Sequence, residues 1–104
     1  MFDKAYICFP VECQIDSKVN RFSLDGGKSV PIVEGVTYYK IAAGSHTLVV
    51  TSGNGGSWTV ECDVRKKDVL TVKLDIWNDN VIDVLYKFGP PPFGVGLIAR
   101  KLPE

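Results

Sequence analysis

The chain has a single histidine, His46, and no Cys-x-x-Cys pair. Without a second histidine or a Cys-x-x-Cys pair, the usual ligand spacing of a zinc site is missing, and no metal or other cofactor is expected. Charge of one sign is also missing: 12 basic residues balance 12 acidic ones. A net charge of zero exerts no long-range pull on nucleic acid or on an anionic membrane surface. The one basic run, Arg65-Lys66-Lys67, lies between Asp63 and Asp68 and reads as a solvated turn. No apolar stretch approaches the ~20 residues a helix needs to cross a bilayer, so no membrane span is expected. The first residues, Met1 to Ala5, lack the basic start and apolar stretch of a secretory leader. That predicts a cytoplasmic protein, or an extracytoplasmic one if a leader has been removed. Cys8, Cys13 and Cys62 are odd in number, which argues against a disulfide framework and for buried free thiols. Helical periodicity is absent too: no window repeats apolar residues at i, i+3, i+4 and i+7 over several turns, and no substantial helix is expected.

What remains is β-structure. A chain of 104 residues is long enough to bury a core without a metal or disulfides, which are usually needed only below ~40 residues. Residues 5 to 11 form an apolar run in which Ile7, Phe9 and Val11 oppose Tyr6 and Cys8, and Pro10 ends it or confines it to an edge. Phe22 and Leu24 alternate with Arg21, Ser23 and Asp25 before the Asp25-Gly26-Gly27 turn. Trp58, Val60, Cys62 and Val64 alternate with Thr59, Glu61, Asp63 and Arg65. Leu70, Val72, Leu74 and Ile76 alternate with Thr71, Lys73, Asp75 and Trp77, and Ile82, Val84, Tyr86 and Phe88 with Val81, Asp83, Leu85 and Lys87. This alternation is the mark of sheets with one wet face. About seven antiparallel strands in a sandwich or small barrel are predicted, the last of them running as a meander. Residues 1–88 are read as the sandwich and residues 89–104, with Pro90, Pro91 and Pro92, as an extended C-terminal arm. Val95 to Arg100 allows one more short strand. The expected core is Phe22, Leu24, Tyr39, Ile41, Leu48, Val50, Trp58, Val60, Val64, Leu70, Val72, Leu74, Ile82, Val84 and Tyr86.

The chain is organised around Tyr38 to Thr51: a strand ending Lys40-Ile41, a corner at Ala42-Ala43-Gly44, and a second strand in which His46, Leu48 and Val50 share a face. Phe22-Ser23-Leu24-Asp25-Gly26 precedes it, and strands ending Val69-Leu70-Thr71-Val72-Lys73-Leu74 follow. In this order the chain resembles PEGA-type domains and the wider prealbumin-like (carboxypeptidase regulatory-like) sandwiches. Those carry an apolar-Asp-Gly strand and an apolar-x-x-Gly-x-His-x-apolar corner. Val30-Pro31 stands where that family has Thr-Pro, and the loop Ser52 to Ser57 with Trp58 replaces its Gly-Tyr. The resemblance spans about residues 5 to 76 and implies an Ig/prealbumin-like fold and a non-catalytic role in display, adhesion or assembly.

Three chemistries are testable on paper. Gly26-Gly27-Lys28-Ser29 suggests a phosphate loop, but the required upstream glycine is Phe22 and Pro31 opposes the required helix. Asp75, Asn78, Asp79 and Asn80 are oxygen donors of the kind calcium uses, but an EF-hand spacing places Asn80 and Tyr86 where Gly and Glu belong. They are also ordinary turn formers. His46 with Cys62 suggests a thiol–imidazole pair, against the alternative that His46 packs at the corner and hydrogen-bonds backbone. The expectation is no enzyme. Binding is assigned instead to exposed aromatics: Trp77 on a wet face, Tyr38 and Lys40 extending that surface, and Phe93 in the arm. The partner is a protein or a second copy, with a glycan stacked on the aromatics as the alternative.

Overall fold

The computed structural model describes residues 4–9, 20–32, 37–89 and 99–102. Within them there is no helix, and nine strands form two sheets. The strands are β1 (Lys4–Phe9), β2 (Arg21–Leu24), β3 (Val30–Pro31), β4 (Thr37–Ala42), β5 (Gly44–Thr51), β6 (Ser57–Val64), β7 (Val69–Trp77), β8 (Asn80–Gly89) and β9 (Ala99–Lys101). About seven strands are expected from alternation; the two beyond that number are β3 and β9, of two and three residues. Elements so short carry no readable period. Pro31 sits in β3 at the end of its sheet, where a missing N–H costs no ladder bond.

One sheet has the order β8-β7-β1-β4-β9 and the other β3-β2-β5-β6. The first is mixed rather than purely antiparallel: β1 lies parallel to β7, and β4 parallel to β9. Parallel neighbours are joined through distant parts of the chain, so local alternation cannot reveal them. The expected closing meander is also interrupted. The β5–β6 hairpin belongs to the second sheet, and the chain crosses at Arg65–Asp68 to place the β7–β8 hairpin in the first. An Arg65 carbonyl to Asp68 N–H bond closes that crossing turn, with Lys67 at φ 71°. The earlier corner does the same job in reverse. Ala43 joins β4 of the first sheet to β5 of the second, and Gly44 takes φ 127°, a value L side chains rarely adopt.

The facing surfaces close over one apolar core. Phe9 of β1 and Tyr39 of β4 meet Phe22 of β2 from across the sandwich, with ring centroids 4.7 Å and 5.2 Å apart. Leu48, Val50, Val60, Val64, Leu70 and Val72 are buried as expected, and Leu24, Trp58, Leu74 and Val84 pack partly buried against them. Two expected core residues are not there. Ile82 is 48 % exposed while its neighbour Val81 is 0 % exposed. The cause is a β-bulge: Asp75 pairs with Asp83 but Ile76 pairs with Val81, so Ile82 is the extra residue and the inward parity of β8 slips by one. Tyr86 keeps inward parity opposite Val72 but stays 45 % exposed on β8, the last described strand of its sheet.

Candidate functional site

The best-built polar constellation brings together two turns that lie 21 residues apart in sequence. Antiparallel pairing of β2 with β5 matches Leu24 to Leu48. One step further, the Asp25 N–H donates to the Thr47 carbonyl at 2.8 Å, and the Thr47 N–H returns a bond to Asp25 Oδ1 at 2.8 Å. Asp25 and Gly26 have φ of 54° and 73°, and Gly27 N–H closes the turn on the Leu24 carbonyl at 2.9 Å. Asp and Gly are the residues that accept such consecutive positive values. The turn aims the second carboxylate oxygen, Oδ2, at His46 Nδ1, 2.5 Å away. The other ring nitrogen, Nε2, lies 2.5 Å from the Ala42 carbonyl at the end of β4.

A carbonyl oxygen can only accept, so Nε2 carries a hydrogen. An ionised carboxylate likewise accepts, so the geometry between the turn after β2 and the end of β4 favours the imidazolium, with Nδ1 donating to Asp25. Burial alone would lower the pKa of His46. The Ala42 carbonyl, then the hydrogen bond and charge of Asp25 and the charge of Asp63, outweigh it and hold it above the ordinary histidine value. Burial would raise Asp25; the bonds from His46 and the Thr47 N–H, with the imidazolium charge, outweigh it and hold the carboxyl below its ordinary range. The ring side chain is almost covered and the carboxylate half-exposed.

His46 lies opposite Cys62 in the β5–β6 register, and both line an open depression of about 470 Å³ with Ser45, Thr47, Glu61 and Asp63. Adjacency does not make them a reactive pair. Cys62 Sγ donates to the His46 backbone carbonyl at 3.5 Å, not to the ring. Burial first, then the charges of Asp25 and Asp63, push the Cys62 thiol up. Both ring nitrogens face other partners, Asp25 and Ala42, so neither is turned to the thiol. Cys8 is likewise free and buried; burial pushes it up, and it lies 3.7 Å from Thr71 Oγ1.

The aromatic surface divides. Trp77, at the end of β7, is 68 % exposed. Tyr38 and Lys40 lie on the same outer face of the same sheet, through Cys8 opposite Tyr38 and Thr71 beside Cys8. They are not near Trp77. Thr71 and Trp77 are six positions apart on β7, about 20 Å along the strand, and β4 is a further ~10 Å across. Tyr38 is half-buried, and burial together with the nearby Cys8 pushes its phenol up. Phe93 lies outside the described residues.

The donors around Asn78 serve the turn. Asn78 and Asp79 take φ of 50° and 62° in a two-residue hairpin loop, and Asn80 Nδ2 donates to the Asn78 carbonyl at 2.9 Å. Among the described residues no group of three His, Cys, Asp or Glu side chains could hold a metal ion. The turn is instead tied to the loop after β5. Val81 N–H donates to Ser52 Oγ at 3.0 Å, Gly53 N–H to Asn20 Oδ1 at 3.3 Å, and Asn20 Nδ2 to the Asp79 carbonyl at 2.5 Å. Asn20 and Ser52, both buried, thus latch the two sheets at the end opposite His46.

Alternation alone hides one further surface, the free side of β8. No described strand pairs with it. Leu85 on its outer face is 62 % exposed, and Tyr86 and Phe88 on its inner face are stacked edge-to-face at 5.7 Å yet nearly half-exposed. The signal in the sequence is Leu85 itself, an apolar residue written into the polar register between Asp83 and Lys87. The chain matches no protein-family model, no curated protein and no solved structure.

Proposed function

We propose that this chain is a non-catalytic interaction module, an Ig/prealbumin-like sandwich of the PEGA type, that self-associates. The observation that carries this is β8: a ten-residue strand on the described edge of its sheet, apolar on both faces at Leu85, Tyr86 and Phe88. An open edge of that length presents unpaired backbone groups that template another strand, and clustered exposed apolar residues mark interaction surfaces. The two motifs that carry the family resemblance, Asp25-Gly26 and Gly44-Ser45-His46, meet in the His46–Asp25 clamp, a structural use of the only histidine. Both ring nitrogens are committed there, which supports the non-catalytic reading. Sedimentation velocity of the full chain from micromolar to millimolar concentration tests self-association. A concentration-dependent rise in mass is expected; a strict monomer throughout refutes it.

The exposure of Trp77 favours a second reading, a glycan stacked on its indole. Tyr38 and Lys40 are too distant to share that ligand, so only a short, single-platform contact is available. Titration of a glycan panel against Trp fluorescence tests it. No shift, or equal binding by Trp77→Ala, ends this reading.

A further inference from the structure

Self-association through β8 has a register written into the strand. Read about Leu85, the segment Asp83-Val84-Leu85-Tyr86-Lys87 is complementary to its own reverse. We infer that two copies pair β8 to β8 antiparallel, about a two-fold axis perpendicular to the sheet that passes midway between the two Leu85 residues. The inference rests on the self-association proposed above and names its geometry.

In that arrangement outer face continues into outer face, because paired positions sum to an even number and side-chain parity is kept. Leu85 then meets Leu85 of the second copy. Asp83 meets Lys87 of the second copy, and Lys87 meets its Asp83, so the symmetry makes the ion pair twice. On the inner face Val84 meets Tyr86 of the second copy, extending the aromatic pair Tyr86–Phe88. A slip of one residue loses both charge pairs and turns outer face against inner. A slip of two brings Asp83 or Lys87 opposite a leucine or an aliphatic carbon.

Two details of the isolated chain fit this occupant. Asp83 stands directly opposite Asp75 on the exposed face, a like-charge cross-strand pair, and among the described residues neither has a salt bridge. Such a pair is unfavourable; Lys73 lies diagonally beside it on the same face, and Lys87 of the second copy adds a cation directly opposite Asp83. The Val84 N–H donates to Asp83 Oδ1 at 2.9 Å, and that carboxylate occupies the amide in the single chain. Pairing replaces that oxygen with a backbone carbonyl and frees the carboxylate for the lysine. The bulge at Ile82 sets the upstream limit of the ladder.

The test is a charge swap in the full chain, read by sedimentation equilibrium with thermal melts as folding control. Lys87→Asp sets Asp83 against aspartate in both symmetry-related pairs, and Asp83→Lys sets lysine against Lys87. Each single variant is expected to raise the dimer dissociation constant roughly 10-fold or more, since two attractions become two repulsions. The double variant Asp83→Lys with Lys87→Asp restores both pairs and is expected within roughly 3-fold of the parent. Each variant keeps its fold, because both side chains are exposed. Recovery in the double variant supports the register. A dimer whose affinity ignores both single swaps, or whose double variant is as weak as the singles, overturns the register while self-association stands. A monomer at every concentration overturns both.

Discussion

Replacing His46 by Gln isolates the clamp, because Gln keeps polarity and length but cannot become a cation. The ring donates one bond to a neutral carbonyl and one to a carboxylate. Bonds of these kinds contribute about 0.5–1.5 and about 1.5–3 kcal/mol respectively, and the half-exposure of Asp25 places the second at or below its lower end. The loss is therefore about 2 kcal/mol. For a domain of this size that lowers the melting temperature by roughly 8–16 °C. The pH dependence separates this from lost packing. The folded His46 pKa is raised, so its contribution is complete below the unfolded value of ~6.5 and is lost as pH rises through the higher folded value. The folded Asp25 pKa is lowered, so its contribution is present above ~3.9 and is lost as pH falls through the lower folded value. The stability difference between parent and His46→Gln should thus be flat from about pH 4.5 to about pH 6.5 and shrink above it, by at most ~1.4 kcal/mol per pH unit. Urea melts of both proteins at matched pH measure it, and contributions common to both cancel. Since the chain has one histidine, ring-nitrogen NMR reads the protonation state without assignment. A difference that grows with pH, or a ring found singly protonated near pH 6, refutes the clamp.

Three further outcomes follow from the packing. Val81→Asp should cost more than ~4 kcal/mol by burying a charge, while Ile82→Asp should cost less than ~1 kcal/mol; equal effects in urea melts would place the bulge elsewhere. Asn20→Ala removes bonds to Gly53 and Asp79, should cost about 1–3 kcal/mol, and should speed amide exchange in the β7–β8 hairpin before the β2–β5 pair. Gly56→Ala places a methyl 2.8 Å from the Trp58 ring, so it should shift Trp fluorescence and destabilise by about 1–3 kcal/mol; an unchanged spectrum would contradict that contact.

The sequence reveals most where period and burial coincide. Trp58 to Val64 and Leu70 to Ile76 alternate cleanly because each strand has one covered face, and parity alone places Trp77 outside. It fails where an extra residue breaks the period: nothing in Val81-Ile82-Asp83 announces which of two β-branched residues is the bulge, and the register with β7 decides it. It fails again for contacts made by the topology. Asp25 alternates onto the polar side of β2, and only its positive φ at the turn brings the carboxylate to His46. Asn20 precedes the first residue of β2 and shows no period at all, yet it is buried because the loop after β5 and the β7–β8 turn converge on it. Tyr38 and Lys40 show another limit: parity only sets them opposite to Tyr39, the pairing through β1 puts them on Trp77's face, and a shared face spans the length of a strand.

The two polar ties sit at opposite ends of the sandwich. Register places Asp25 and His46 near the Gly44–Val64 end of the β5–β6 hairpin, and Ser52 and Asn20 near the Thr51–Ser57 end. The apolar core lies between them, and neither tie involves residues 83–88. The side of β8 is therefore not needed to hold the hairpin: its tip is anchored at Asn80 and Val81 and its base at the Val69–Gly89 pair. Leu85, 62 % exposed on the outer face, gains little from the core. Its place between an acid and a base, at the centre of a strand anchored at both ends, is what makes this stretch the one to which the proposed self-association is assigned. A second β8 run in reverse has the matching charge order.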